Sequence, residues 1–497
     1  MFESAELGHK VDDEKFDKEQ KKLRAELLAM QGELLEAKKF PVVILVNGVD
    51  GAGKGDTINK FNEWLDPRHV RTRAFGNPTE DERMRPPMWR FWQALPAKGK
   101  IAILFGSWYT EPLERRAYGD MKSAELSASI DRIQAFERLL IDDGAVLVKL
   151  WFHLSKKAQK KRLVDLEKDK WTRWRVTKDD WENHRHYDAF ARVNERILRE
   201  TSTGEAPWVV IDGCDKNYRE LTAGHAVLNA VRMKLELASA KPKSHTNGSA
   251  QGEAVISAVD TTGILRDLPF KERLSKEKYQ KKVPKAQGKL ARLTRGSKMQ
   301  KHAVAVVFEG MDAAGKGGAI RRVTGALDAR MYNVIPIAAP TDEERAQPYL
   351  WRFWRHIPRR GQFVLYDRSW YGRVLVERVE GFATQSEWTR AYREINDFEE
   401  QLVEYGIVVV KLWLAVSKDE QMKRFKEREV IPYKQYKITP EDWRNRKKWD
   451  DYVLAASDMI DRTSTSIAPW HVIEANDKHL ARVRVIETIT RRMEEVF

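Results

Sequence analysis

The chain has 497 residues, of which 42% are hydrophobic, with one cysteine (Cys214) and a formal net charge of +15. The lone cysteine excludes an internal disulfide, and the sequence shows neither the long apolar stretch of a membrane span nor the apolar core of a signal peptide. We therefore expect a cytoplasmic protein without a membrane partner, and the positive charge predicts an anionic partner, for which nucleic acid, a polyphosphate and a nucleotide are physically equivalent.

The same pattern occurs twice along the chain, at a constant offset of 262 residues (310 − 48 = 262). Gly48 matches Gly310 and Lys54 matches Lys316. A period of this length indicates duplication of a whole domain. We predict an N-terminal repeat over residues 1–237, a linker over residues 238–275 that opens with a stretch rich in Ser, Lys, Gly and Ala, and a C-terminal repeat over residues 276–497.

The elements of each repeat follow one order. A leading helix is predicted over residues 14–38, and its counterpart begins near residue 276. Short runs rich in Val, Ile and Leu then alternate with helical patterns, and in the C-terminal repeat they cover residues 304–308, 334–337, 363–366, 408–414 and 471–473. Apolar strands between helices indicate a mainly parallel sheet that is covered on both faces. Each repeat is therefore predicted to be an α/β domain with a mainly parallel sheet flanked by helices.

A glycine-rich loop follows the first strand of each repeat. In the C-terminal repeat it includes Gly310, Gly315 and Lys316, with the G-x-x-x-x-G-K spacing of a phosphate loop. Its backbone N–H groups and its lysine are suited to holding a phosphate. Gly317 stands where the common motif has the Ser or Thr that binds magnesium, which makes Asp312 a candidate metal ligand. The alternative interpretation is an ordinary glycine-rich turn.

An acidic residue ends the third predicted strand of the C-terminal repeat. Asp367 follows residues 363–366, at the sheet edge where open α/β folds bind ligands, and it is suited to a magnesium-associated role. Arg368 beside it can neutralise charge on a transferred phosphoryl group. The N-terminal repeat has Phe105 and Gly106 at these positions. We therefore expect catalysis in the C-terminal repeat and a degenerate N-terminal repeat; a solvent-exposed charged turn is the alternative.

Two charged helices are predicted after the fourth strand of the C-terminal repeat. The first covers residues 417–430, where Arg424 and Arg428 are four residues apart and share a face. Thr439 and the following proline are typical of the start of the second helix. Such a pair is suited to a mobile lid that steers a long polyanion by charge, or it is simply a solvated charged face. The aromatic cluster at residues 351–354 is predicted to belong to the core.

Together these motifs resemble the polyphosphate kinase 2 family. The resemblance rests on GMDAAGKGG at residues 310–318, YDRSWYGR at 366–373, VLVERV at 374–379 and TPEDW at 439–443, and it covers the chain once per repeat. It implies a P-loop kinase-like fold with a helical lid, duplicated in tandem. It also implies Mg²⁺-dependent transfer of the terminal phosphoryl group of inorganic polyphosphate to a nucleotide. The two-domain arrangement looks like that of fused members that use AMP as the acceptor.

Carried onto this sequence, the motifs and the resemblance imply the following site. The catalytic residues would be Asp312, Lys316, Asp367, Arg368 and Glu377, with Asp312 and Asp367 also binding Mg²⁺; Gly310, Gly315, Gly317, Arg373, Lys423, Arg424 and Arg428 would bind phosphate or nucleotide. Other acceptors such as ADP or GDP, polyphosphate synthesis from a nucleotide, and a P-loop module that only binds polyanions or nucleic acid stay open as alternatives. No stripe of stacking aromatic and basic residues favours nucleic acid. The two repeats are expected to form a pseudo-dimer, or the chain a homo-oligomer.

Overall fold

The computed structural model describes residues 1–239, 263–266 and 268–497. Most of the predicted linker, residues 240–262 and 267, lies outside the described residues. The described chain forms two units: one takes in most of the N-terminal repeat together with Pro340–Trp351, and the other most of the C-terminal repeat together with Thr79–Trp89. Within the described residues, no helix combines the length and the apolarity needed to cross a bilayer.

The N-terminal repeat is built on a five-stranded sheet. Its strands are β1 (Val42–Gly48), β2 (Val70–Ala74), β3 (Ile101–Phe105), β4 (Val146–His153) and β5 (Trp208–Asp212). They run in the order β2-β3-β1-β4-β5, and each neighbouring pair is parallel. The central strand β1 is covered on both faces along its apolar run, as expected of a parallel sheet between helices.

The helices of the N-terminal repeat lie between these strands and at both ends. They are α1 (Asp13–Ala37), α2 (Lys54–Trp64), α3 (Glu80–Arg83), α4 (Trp89–Trp92), α5 (Thr110–Tyr118), α6 (Ser123–Asp142), α7 (Lys156–Lys168), α8 (Lys178–Arg185), α9 (Tyr187–Thr201) and α10 (Lys216–Ser239). The predicted leading helix is confirmed as α1, which buries Leu23, Leu27 and Met30.

The C-terminal repeat carries a second five-stranded parallel sheet. Its strands are β6 (Ala303–Gly310), β7 (Tyr332–Pro336), β8 (Phe363–Asp367), β9 (Ile407–Ala415) and β10 (Trp470–Glu474). Their order, β10-β9-β6-β8-β7, is the order of the first sheet read from the other edge, and the pairs are again parallel. The five predicted apolar runs all lie on these strands, with ends that agree within two residues. The predicted fold, a tandem pair of mainly parallel α/β domains, is confirmed.

The remaining helices comprise α11 (Gly263–Arg266), which lies within the predicted linker, and those of the C-terminal repeat, which include the two that the sequence predicts as a lid. The helices of the C-terminal repeat are α12 (Lys276–Thr294), α13 (Lys316–Thr324), α14 (Asp342–Arg345), α15 (Trp351–Trp354), α16 (Val376–Val379), α17 (Gln385–Glu404), α18 (Lys418–Val430), α19 (Pro440–Lys447), α20 (Trp449–Thr463) and α21 (Lys478–Val496). Ser417 caps α18, and the Thr439 backbone N–H donates to Asp442 Oδ2 at 2.8 Å at the start of α19, as the sequence predicts. The aromatic cluster is confirmed as core, since Phe353 and Trp354 are buried.

Candidate active site

The phosphate loop of the C-terminal repeat connects β6 to α13. Gly310, at the end of β6, has φ 142°, and a Cβ there would lie 2.4 Å from the carbonyl oxygen of Leu414 on the adjacent strand β9, so only glycine fits. Gly315 is left-handed (φ 109°) and precedes the first turn of α13. Lys316 Nζ donates to the carbonyl oxygen of Gly310 at 2.7 Å, so the lysine lies back across its own loop. A Cβ on Gly317 would meet open space, so sterics do not require that glycine.

Asp312 connects this loop to three other elements. Its Oδ1 accepts from Arg368 Nη2 at 3.1 Å, and its Oδ2 accepts from Asn445 Nδ2 on α19 at 2.9 Å. Gln421 on α18 donates to the Asp312 carbonyl at 3.0 Å. The predicted metal ligand therefore also holds the loop to the sheet edge and to both predicted lid helices.

Asn445 lines the cavity but was not predicted from the sequence, because it lies between two basic residues, Arg444 and Arg446, which dominate the pattern of this helix. The repeat carries the signal that could have found it. Asn183 lies at the matching position in the N-terminal repeat, and its Nδ2 donates to Asp50 Oδ2 at 2.8 Å. The contact between loop and helix is therefore the same in both repeats.

Asp367 and Arg368 lie where β8 ends, beside the phosphate loop. Asp367 pairs in register with Phe308 of β6, and both Asp367 and Arg368 line the cavity that contains the loop. Arg368 has φ 64°, a left-handed conformation that costs a residue with a Cβ about 1–2 kcal/mol. Burial disfavours its charged form, but four carboxylates, those of Asp312, Glu309, Glu441 and Asp367, together outweigh burial and raise the pKa of Arg368.

Glu309 is a second residue that the sequence analysis missed. It is the second-last residue of strand β6, immediately before the loop, and it is 5% exposed. Its Oε1 accepts from Ser369 Oγ at 2.8 Å. Burial raises its pKa, while the charge of Lys316 acts in the opposite direction. The signal was a charged residue at the end of an otherwise apolar strand, where the N-terminal repeat has the uncharged Asn47, which donates to Ser107 Oγ at 3.1 Å.

Arg373 and Glu377 form an ion pair at 2.7 Å, and Arg373 also lies 3.8 Å from Glu387. Arg373 ends the short 3₁₀ helix Trp370–Arg373, and Glu377 lies on α16. Neither belongs to the described residues that line the phosphate-loop cavity. The structure therefore places these two predicted site residues in contact with each other, but outside the described lining of the phosphate-loop cavity.

The three basic residues predicted on α18 have different environments. Arg424 is 3% exposed. Its Nη1 donates to the carbonyl oxygens of Ala313 and Ala314, at 2.9 and 3.0 Å, and its Nη2 to those of Ala475 and Asn476, at 2.6 and 3.1 Å. Its Nε donates to Glu420 at 2.8 Å, so protein acceptors take up all five N–H groups. These contacts make Arg424 a support for the loop at the wall of the cavity that contains it, and its predicted contact with polyphosphate stays a prediction.

Arg428 and Lys423, the other two basic residues predicted on α18, differ in their position relative to the cavity. Arg428 donates to the carbonyl oxygen of Lys437 at 2.8 Å and lines the cavity. Lys423 is exposed and lies outside the described residues that line the cavity. Arg424 and Arg428 both line the cavity, but Arg424 has all five of its N–H groups bound to protein acceptors, which leaves Arg428 the better placed of the two for a bound polyanion.

The cavity around the loop has a volume of about 720 Å³ and is strongly basic. Ten basic residues line it against five acidic ones, Asp312, Asp367, Glu427, Glu441 and Asp442. The basic residues are Lys316, Arg321, Arg322, Arg368, Arg424, Arg428, Lys434, Lys437, Lys478 and Arg482. Arg321 and Arg322 on α13 and Lys478 and Arg482 on α21 were not among the predicted site residues, because they become neighbours of the loop only when the helices pack beside it. Such a lining suits a ligand with several closely spaced phosphates.

The acidic residues of this cavity also bear on metal binding. Within the part of the chain that the structure describes, no cluster of three or more His, Cys, Asp or Glu side chains could hold a metal ion. Asp312 and Asp367 nevertheless line one cavity with the phosphate loop. Two carboxylates suit Mg²⁺, which usually takes one or two from the protein and leaves its other positions to phosphate oxygens and water.

Two parallel α/β domains, each with a phosphate loop at the carboxyl end of its central strand, define a duplicated P-loop kinase-like protein. The family model of polyphosphate kinase 2 matches residues 10–238 and 273–496. The chain belongs to the polyphosphate kinase 2 family, as the sequence motifs predict.

The similar proteins cover the whole chain. A protein of Pseudomonas aeruginosa named polyphosphate:AMP phosphotransferase is 53% identical over 497 residues, which is 100% of this chain and 99% of that protein. One of the same name from Pseudomonas syringae pv. tomato is 52% identical over the same shares. A crystal structure described as a polyphosphate kinase 2 from Pseudomonas aeruginosa superposes with a TM-score of 0.90 at 52% identity, covering 100% of this chain and 99% of that one.

Proposed function

We propose that this chain is a polyphosphate:AMP phosphotransferase, which transfers the terminal phosphoryl group of inorganic polyphosphate to AMP and gives ADP. The observation that carries the proposal is the basic cavity around the phosphate loop of the C-terminal repeat, with ten basic residues against five acidic ones. The names of the full-length relatives support AMP as the acceptor. We place the reaction in the cytoplasm, where the free Cys214 would stay reduced.

The residues of the cavity divide the work of phosphoryl transfer. The loop amides and Lys316 hold the donor's terminal phosphates, and Arg428 with the basic residues of α13 and α21 holds the rest of the chain. Arg368 neutralises charge that develops on the transferred group. Mg²⁺ bound by Asp312 and Asp367 would supply further charge neutralisation at the reacting oxygens. The attacking phosphate of AMP is already anionic, so positioning and electrostatics suffice without a strong general base.

The catalytic site in this proposal lies in the C-terminal repeat. The N-terminal repeat keeps Asp50 and Lys54 in its loop but has Phe105 and Gly106 where the C-terminal repeat has Asp367 and Arg368. A phenyl ring and a hydrogen atom cannot bind a metal or neutralise a phosphoryl group. We propose that this repeat transfers no phosphoryl group.

The test is a direct assay of the reaction. The purified full chain is incubated with Mg²⁺, long-chain polyphosphate and AMP, and separately with ADP, and the nucleotides are separated by anion exchange. ADP should form from AMP, and the Asp367→Asn variant should lose this activity while keeping its circular dichroism spectrum. Phe105→Leu, at the matching position of the N-terminal repeat, is the control and should keep it. ATP formation from ADP with no product from AMP, or no product from either, would contradict the proposal.

A further inference from the structure

The N-terminal repeat contains a cavity of about 430 Å³ at the carboxyl end of its sheet. The matching place in the C-terminal repeat holds about 70 Å³, and each residue that lines that smaller space corresponds, at the 262-residue offset, to one that lines the larger. Three substitutions shorten side chains here: Arg368 is replaced by Gly106, Trp449 by Tyr187 and Tyr452 by Phe190. The repeat that lost its phosphoryl-transfer groups has thus gained a space of the size that small-molecule sites have.

Three residues that line this cavity each carry a buried polar atom without a hydrogen-bond partner in the part of the chain that the structure describes. Among the described residues, Trp151 Nε1, His153 Nδ1 and Asn194 Oδ1 have no hydrogen-bond partner. Their side chains belong to residues that are 3%, 2% and 5% exposed, and all three residues line the cavity. Buried polar groups are normally satisfied, so a donor, an acceptor and an imidazole nitrogen left over around one space indicate a ligand that would satisfy them.

The charges of the cavity disfavour a phosphate-rich ligand. Its lining has one lysine, Lys54, against the carboxylates of Asp50 and Glu114. Lys54 Nζ donates to the carbonyl oxygen of Gly48 at 2.6 Å, as Lys316 does to Gly310, and unlike Lys316 it also pairs with the aspartate of its loop, Asp50, at 3.3 Å. The C-terminal repeat has Val376 in place of Glu114, so the N-terminal cavity has lost Arg368 and gained a carboxylate. A neutral ligand fits this balance better than an anion does.

The walls are rich in aromatic rings. Phe75, Phe105, Tyr109, Trp151, Phe190 and Trp208 all line the cavity. Phe2 also lines the cavity. Its ring stacks on that of His153, the last residue of β4, with the centroids 4.3 Å apart and the planes 4° apart. Flat aromatic walls with a few polar groups recognise flat ligands by stacking.

We infer that the cavity of the N-terminal repeat binds a neutral heteroaromatic molecule of nucleobase or nucleoside size, through its aromatic walls and the unpartnered atoms of Trp151, His153 and Asn194. This site is separate from the phosphoryl-transfer site of the C-terminal repeat and carries no catalysis. Asn194 gives the most direct test, because the C-terminal repeat has Ala456 at the matching position, so that Asn194→Ala restores the side chain of the other repeat.

The experiment is calorimetric titration of the full chain with adenine, adenosine and AMP. We expect adenosine or adenine to bind, with an affinity that falls about tenfold in Asn194→Ala, the scale of one buried hydrogen bond. Ala191→Phe, which fills the cavity, should abolish this binding. Met233→Ala, at an exposed residue of α10, is the control and should leave it unchanged. Circular dichroism and the melting temperature of each variant without ligand establish that it is folded.

The outcomes separate this inference from the proposed function. ADP formation from polyphosphate and AMP is measured on the same variants, and we expect Asn194→Ala to retain it. Absence of binding by both neutral probes would overturn the inference, as would binding that neither Asn194→Ala nor Ala191→Phe weakens. Binding of AMP alone, sensitive to these variants, would also overturn it, because the site would then recognise the phosphate. Each result can occur whether or not the chain makes ADP.

Discussion

Asp312 and Arg368 form an ion pair at 3.1 Å that joins the phosphate loop to the end of β8. The arginine reaches the aspartate from a left-handed backbone conformation, with φ 64°. Gly106 keeps the same conformation in the N-terminal repeat, with φ 74°, and there Asp50 pairs with Lys54 at 3.3 Å. The C-terminal repeat therefore carries backbone strain at a position where the other repeat has relaxed to glycine, as is typical of functional sites.

Removing the charge of Asp312 should disable the reaction. We expect Asp312→Asn to lower kcat at least about 100-fold, because an electrostatic group beside the transferred phosphoryl is worth that much. Asp50→Asn makes the same change in the N-terminal repeat and should keep kcat within about twofold. ADP formation under saturating polyphosphate and AMP is the measurement. Equal losses in both variants would show that both loops take part in catalysis.

Replacing Arg424 should destabilise the unit that contains the C-terminal repeat. Arg424→Met leaves four carbonyl oxygens and Glu420 without their donor, which we expect to cost about 2–4 kcal/mol of the free energy of unfolding. Arg162 is the matching residue of the N-terminal repeat and is exposed, so Arg162→Met should cost less than about 0.5 kcal/mol. Urea unfolding followed by tryptophan fluorescence compares the two variants. An unchanged midpoint for Arg424→Met would contradict the supporting role.

Arg428 and Lys423 should differ in their effect on polyphosphate. Arg428 lines the cavity, whereas Lys423 is exposed outside its described lining. We expect Arg428→Met to raise the KM for polyphosphate about tenfold with little change in the KM for AMP, since one charge-assisted contact is lost. Lys423→Met should leave both constants unchanged. The measurement is the initial rate at varied polyphosphate concentration for both variants. A larger increase of the KM for polyphosphate in Lys423→Met than in Arg428→Met would show that Lys423, and not Arg428, contacts polyphosphate.

His471 should make the protein sensitive to acid. Burial, together with the positive charges of Arg491 and Arg492, lowers the pKa of this β10 residue to about 4. Between pH 6.5 and 4 the unfolded chain then binds a proton at His471 that the folded chain does not, so stability falls as the pH is lowered through this window. The loss attributable to His471 is about 1–3 kcal/mol.

His471→Val copies the N-terminal repeat, which has Val209 at this position. Thermal melts at pH 7.5 and pH 5 should show a smaller decrease of the melting temperature in the variant than in the parent chain. The comparison isolates this residue because the other titrating groups are common to both proteins. Equal decreases would mean that His471 titrates normally in the folded chain.

The sequence predicted the parts of the structure that depend on local pattern. Apolar runs of the right length form the parallel strands. Comparison of the two repeats identified Asp367 and Arg368, because each is replaced in one repeat while the residues around it are shared. Helical spacing put Arg424 and Arg428 on one face. Spacing alone cannot tell whether that face points to solvent or to backbone, so the role of Arg424 could be read only from its contacts.

Other features depend on packing that no local pattern contains. Asn445 and Glu309 have ordinary polar side chains, whose importance follows from what β6, α19 and the loop bring beside them. The cavity of the N-terminal repeat depends on changes of side-chain size at positions far apart in the chain. The change from Arg368 to Gly106 stands out in the sequence as a lost charge, but its contribution to a space, together with the smaller rings of Tyr187 and Phe190, follows only from the packing.

The guanidinium of Arg424, with all five N–H groups bound to protein acceptors, restricts how the predicted lid of α18 and α19 could open. It fastens the middle of α18 both to the phosphate loop and to the backbone that follows β10, so this part of the helix moves with the sheet. If the two helices act as the lid that the sequence predicts, the segment that bends is then further along the chain, from Val430 through the 3₁₀ helix Pro432–Lys437 to Thr439. In such a lid the moving part would be short, and Arg428, two residues before Val430, would stay beside the phosphate loop while α19 moved.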